Sequence, residues 1–222
     1  MASEFDLGGR QQWPTMFFFR RWQHHDAEAP GIIDFLQQTK ATAKANIASG
    51  VAPMAKSAHG LYESEFDLLR TDHPGLRKLG TWIARTIAEA VCVANGSRVK
   101  AEQVRVEIPE SWSHITNDGG FHDAHYHAGC SWCGMYYVRA ADARGTDKTG
   151  AGNGISRFYS PIGTGGAFND FGNAYLSSNR VDITPVDGML LLFPSYLLHS
   201  GLPYVGKHDR IVIAFNSRSH LT

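Results

Sequence analysis

Residues 187–218 read DGMLLLFPSYLLHSGLPYVGKHDRIVIAFNSR, two apolar runs of strand length joined by a turn that carries one histidine. The first run closes at Phe193-Pro194-Ser195, and His199 stands just before a Ser-Gly break. Eleven residues on, Arg210 opens the second run. Side chains alternate faces along a strand, so Arg210, Val212, Ala214 and Asn216 share one side. An arginine aimed into an otherwise apolar interior is costly to bury without an anion. A bound carboxylate would satisfy it through paired hydrogen bonds.

Working outward, the same short-strand character extends back to about residue 101. Val104, Val106 and Ile108 alternate with polar residues, as a half-buried strand requires. Further runs fall at 120–127, 133–138, 155–160, 180–184, 188–193 and 210–216, with Gly-, Pro- or Asp-rich turns between them. Many short strands with loops between predict an antiparallel sandwich or barrel. The loop ADARGTDKTGAGNG at 141–154 is long, polar and glycine-rich, the composition of a mobile segment or a lid.

Upstream the pattern differs. Pro14–Trp22 is an aromatic-rich run that predicts a strand, and residues 28–97 read as helical. In the clearest piece Leu76, Leu79, Trp82, Ile83, Ile87 and Val91 recur at the spacing of one helical face. Asp72 is the expected cap, Pro74 suits a first turn, and Asn95-Gly96 a stop. The expected fold is mainly β with N-terminal helices packed outside the sheet. It forms a single domain over 1–222, with a strand and helical layer at 1–100 and a β core at 101–218.

Composition narrows the function classes. Twenty-one basic residues balance twenty-one acidic ones, so no net field draws the chain to nucleic acid or an anionic membrane. No apolar run approaches the roughly 20 residues that span a bilayer, and the N-terminus lacks a signal-peptide pattern. Three cysteines are too few for a disulfide framework. A cytoplasmic protein acting on a small molecule is expected; nothing in the sequence sets an oligomeric state.

The segment GGFHDAHYHAGCSWCGMYYV (119–138) holds His122, Asp123, His125 and His127, with Cys130 and Cys133 close behind. Strand alternation puts Asp123, His125 and His127 on one face and turns His122 and Tyr126 away. Two imidazoles at i and i+2 can reach one metal ion. A lone His-x-His is often only a hydrogen-bonded pair; the distal His199 and the buried-looking Arg210 raise its weight. Together they are what a divalent iron and an acidic co-substrate require. Cys130-Ser-Trp-Cys133 has the spacing of half a zinc site. With no second C-x-x-C in the chain, a structural role is expected.

Four motifs in order carry a resemblance: His125-Tyr126-His127, then Cys133-Gly134-Met135-Tyr136-Tyr137-Val138, then Phe193 to His199, then Arg210 to Asn216. On these the sequence resembles the Fe(II)/2-oxoglutarate-dependent oxygenases over roughly residues 101–218. In particular it resembles a bacterial and phage group with an H-x-H motif. The resemblance implies a double-stranded β-helix (jelly-roll) core, and Fe(II), 2-oxoglutarate and O2 as cofactor and co-substrates. Most of that superfamily holds iron with His-x-Asp/Glu and a distal His, three coordination sites staying open. Here His127 occupies the carboxylate position. The resemblance therefore favours His125, His127 and His199 as metal ligands and catalytic centre, with Asp123 the alternative to one of them. It further assigns Arg210 and Tyr137 to the far carboxylate of 2-oxoglutarate, with Asn216 a polar candidate on the Arg210 face. Arg157 is a candidate for a substrate carboxylate.

The implied reaction decarboxylates the ketoacid to succinate and oxidises a C–H bond of an amino acid or peptide-derived metabolite, with hydroxylation as the default. Two rivals stay open. One is a three-histidine, cupin-like dioxygenase that needs no ketoacid, and the other a jelly roll that only binds metal or ligand.

Overall fold

The computed structural model describes residues 15–48, 58–96, 98–146, 149–161 and 180–222. Its strands are β1 (Phe18–Arg21), β2 (Ala58–Glu63), β3 (Val104–His125), β4 (Trp132–Arg139), β5 (Ser156–Tyr159), β6 (Arg180–Ile183), β7 (Met189–Pro194), β8 (His199–Tyr204) and β9 (Arg210–Leu221). Two helices, α1 (His25–Ala48) and α2 (Pro74–Ala94), precede β3. The strands pair antiparallel in the order β1-β7-β4-β9-β3-β8-β5-β6, with β2 added on β3. This curled sheet is the jelly-roll architecture expected from the sequence.

The strands at 101–108 and 120–127 prove to be one element. β3 runs 22 residues, pairing first with β9 and at its far end with β8, so the sheet turns over through it. Register shifts interrupt it between Glu107 and Glu110, between Gly120 and His122, and between His122 and His125. Bulges bend a strand and re-aim its side chains, which is how one segment serves both halves of the roll.

Alternation sorts the core into two faces. Tyr136 and Val138 of β4, Leu190 and Leu192 of β7, and Ile211, Ile213 and Phe215 of β9 join Ile32, Leu36, Leu76, Leu79, Ile83 and Ile87 of the helices. Their neighbours Cys133, Tyr137, Leu191, Phe193 and Val212 face inward with Phe158. Gly134 lies opposite Phe215, and a Cβ there would clash with the tip of the Phe215 ring. Gly134→Ala should cost about 1–3 kcal/mol by overpacking, lowering Tm by roughly 2–4 °C per kcal/mol. An unchanged melting curve would show that the ring has room to move.

Several local expectations change. Residues 28–97 are not all helical, since β2 lies between the helices and pairs with β3. The α2 cap is His73, whose side chain accepts from the Leu76 N–H at 3.2 Å, while Asp72 pairs with Arg77 on the surface. Gly96 ends the helix at φ +62°, as its position predicts. The Ser-Gly break after His199 is instead β8, which bonds to both β3 and β5. Pro14 and residues 147–148 of the long loop lie outside the described residues. The loop's base is tied down by the Asn153 amide, which donates to the Asp142 and Val205 carbonyls. No helix of the described residues is long and apolar enough to cross a membrane.

Candidate active site

The end of β3 meets the start of β8, where His125 and His199 are register partners. His127 follows β3, and its backbone N–H is held by the Ser195 carbonyl at 3.2 Å. One ligand nitrogen from each of His125, His127 and His199 lies within 4.8 Å of the other two. The His125 Nδ1 donates to the Asp123 carbonyl at 2.6 Å and the His199 Nδ1 to the Leu197 carbonyl at 2.9 Å. Each Nε2 is thereby left with a lone pair, the orientation that outer hydrogen bonds give to metal-binding imidazoles. Burial lowers the His125 pKa to about 4 and the His199 pKa to about 3, so both rings are neutral at pH 7 and free to bind a cation. His127 is also lowered, by burial and then by His122. It stacks on Trp112, with ring centroids 5.8 Å apart. The donor set fits a divalent transition ion.

The Asp123 carboxylate stands apart from this trio. It meets the His59 Nε2 at 2.6 Å on an exposed face. His122, which simple alternation turns away, lines the same pocket with its ring 4.2 Å from that of His125. The bulge is the reason: three residue steps along β3, from His122 to His125, match only two along β8, from Gly201 to His199.

Behind the imidazoles, Arg210 lines the same pocket, with Val212 and Ala214 beside it. The guanidinium is buried, and its Nε has no hydrogen-bond partner among the described residues. Burial acts against its charge, offset by the phenols of Tyr137 and Tyr204 rather than by a carboxylate. It sits 5.5 Å from the Tyr137 ring centroid. The Tyr137 hydroxyl is 2.8 Å from the Ser156 Oγ.

Two expected residues have other partners. Asn216 shares the Arg210 face but lies six residues along β9, a distance of about 20 Å. Its amide donates to Glu110 at 2.7 Å, its carbonyl accepts from the Cys133 thiol, and its side chain also meets His127. It thus steadies the imidazole end of the pocket, not the arginine end. Arg157 forms a two-bonded ion pair with Asp182 across β5 and β6, at 2.7 and 2.8 Å. The Cys130 and Cys133 sulfurs are free and 3.6 Å apart.

The sequence reading missed Glu63, Glu110, Trp112 and His114. In ESWSHIT (110–116) the period-two set Trp112, His114, Thr116 was the available signal, and all three line the pocket.

A jelly roll with converging imidazoles at one end of a pocket and a buried arginine at the other is the arrangement that the sequence resemblance to the Fe(II)/2-oxoglutarate oxygenases implies. Residues 110–216 match the family model described as "Putative 2OG-Fe(II) oxygenase". Its members are enzymes that use Fe(II), 2-oxoglutarate and O2. No curated protein matches the sequence. Among solved structures the fold is similar to the non-heme alpha-ketoglutarate-dependent epimerase SnoN from nogalamycin biosynthesis. That pair has 13% identity and a TM-score of 0.55, over 92% of this chain and 78% of that one. HygX from Streptomyces hygroscopicus, solved with nickel and 2-oxoglutarate bound, is 13% identical with a TM-score of 0.53, over 92% and 83%. AviO1 from Streptomyces viridochromogenes Tue57 is 12% identical with a TM-score of 0.55, over 90% and 89%.

Proposed function

We propose that His125, His127 and His199 hold the Fe(II), and that Arg210 with Tyr137 binds the far carboxylate of 2-oxoglutarate. The enzyme then oxidises a C–H bond of a small molecule such as an amino acid or peptide-derived metabolite, with hydroxylation as the outcome. One observation carries this reading: Arg210 is buried with an unpartnered Nε at the far end of a pocket that three imidazoles enter. A dicarboxylate spanning the two ends supplies the missing charge.

Bound iron supplies dioxygen activation at the expense of the ketoacid. The chain's own residues do the rest. The Asp123 and Leu197 carbonyls fix two imidazoles, Asn216 steadies the third, and Arg210 orients the ketoacid. Leu61, Phe121, Phe193 and Leu202 form apolar walls that exclude water. The free thiols Cys92, Cys130 and Cys133 suit a reducing cytoplasm.

The test is an anaerobic titration of the Fe(II)-loaded protein with 2-oxoglutarate. A weak visible charge-transfer band is expected, followed by succinate once O2 is admitted. Loss of both signals would sink the reading. Oxygen consumption without ketoacid would point to a cupin-like dioxygenase instead.

A further inference from the structure

Beside the pocket, which His114 and His122 line, lies a second set of converging side chains that the oxygenase reading does not use. Glu63 on β2 and His114 on β3 are register partners, so both project to the same side. The Glu63 Oε2 lies 2.8 Å from the His114 Nε2 and 3.8 Å from the His122 Nε2. One ligand atom from each residue lies within 4.8 Å of the other two. All three side chains are well shielded, at 11, 13 and 10% exposure.

As hydrogen bonds alone the set is one member short. The Trp112 indole N–H is directed at the His114 Nε2 at 2.9 Å. One ring nitrogen cannot both accept from Trp112 and donate to Glu63. If it accepts, two lone pairs face each other across 2.8 Å. Two ligands held about 2.1 Å from one tetrahedral ion lie about 3.4 Å apart, between the 2.8 and 3.8 Å that separate Glu63 from the two imidazoles. The His122 Nδ1 lies 3.4 Å from the Asp123 carbonyl, the same oxygen that aligns His125, and its Nε2 is the atom nearest Glu63.

We propose that Glu63, His114 and His122 form a second divalent-metal site, taking a first-row transition ion such as Zn(II). Two imidazoles and a carboxylate suit Zn(II), Fe(II) or Mn(II). The site shares no ligand with His125, His127 and His199, so the two assignments stand or fall separately. The contact between the His122 and His125 rings joins them, giving two neighbouring metal positions.

Zn(II) content after equilibration with a competing chelator tests this. Wild type should hold two equivalents. Glu63→Gln and His122→Gln should each hold one, and so should a His125→Ala/His199→Ala variant. Far-UV circular dichroism and thermal melts establish that each variant is folded. A single wild-type ion that disappears with His125→Ala/His199→Ala and is untouched by Glu63→Gln overturns the proposal. So do two ions that persist in both Gln variants. A single ion lost with Glu63→Gln but kept by His125→Ala/His199→Ala would uphold this site and refute the iron ligands proposed above. The wild-type count, with its response to the double alanine variant, decides the matter even if a Gln variant misfolds.

Discussion

Arg210→Ala should raise the dissociation constant of 2-oxoglutarate by roughly 30-fold or more while the protein keeps its iron. Removing one partner of a buried, hydrogen-bonded charge pair costs about 2–5 kcal/mol, and each 1.4 kcal/mol is about tenfold in affinity. Most of that loss is the stranded carboxylate of the co-substrate in a pocket walled by Val212, Ala214 and Phe193. Without ligand the sign should reverse: the substitution removes a buried cation with an unpartnered nitrogen, so the melting temperature should not fall. Arg210→Lys should recover part of the binding, since it restores the charge but not the paired hydrogen bonds. Isothermal titration with Fe(II) bound reads all of this. Unchanged ketoacid affinity in Arg210→Ala would mean that another group holds the carboxylate.

His127→Ala should lose iron, whereas Asp123→Ala should keep it. The imidazole of His127 reaches the other two rings, while the Asp123 carboxylate is engaged by His59 on an exposed face. Outer partners of metal ligands typically carry about 10–100-fold in affinity, and a direct ligand should exceed that. The Asp123 side chain is not even such a partner, because the His125 Nδ1 is held by the backbone carbonyl at 123, which alanine retains. Iron content after chelator challenge separates the two. Loss confined to Asp123→Ala would exchange the ligand and the bystander.

The parts legible in the sequence were those that obey one period. Arg210, Val212 and Ala214 line the pocket together, as alternation requires, and Leu76, Leu79, Ile83 and Ile87 bury one helical stripe. What escaped depends on pairing between distant segments. His122 needed a count of residues against β8, because a bulge leaves no mark in composition. β2 has neither β-branched enrichment nor alternation and exists because β3 offers it an edge. Glu63 was therefore invisible as a partner of His114 and His122. Arg157 looked available because Asp182, its partner, enters only through the β5–β6 register. Asn216 was placed on the correct face, but the strand's length carries it to the imidazole end.

The edge pairing of β2 on β3 ties the N-terminal layer to the strand that carries His125, although the family match begins only at residue 110. A fragment starting at residue 104 would keep every imidazole of the front trio and Arg210. It would also bare the backbone of residues 114–122 along one edge, a template for self-association. A graft of another oxygenase's N-terminal layer would fail for the same reason unless β2 and β3 moved as a unit. The exchangeable module in this protein is a strand pair, and its natural cut sites lie outside both members.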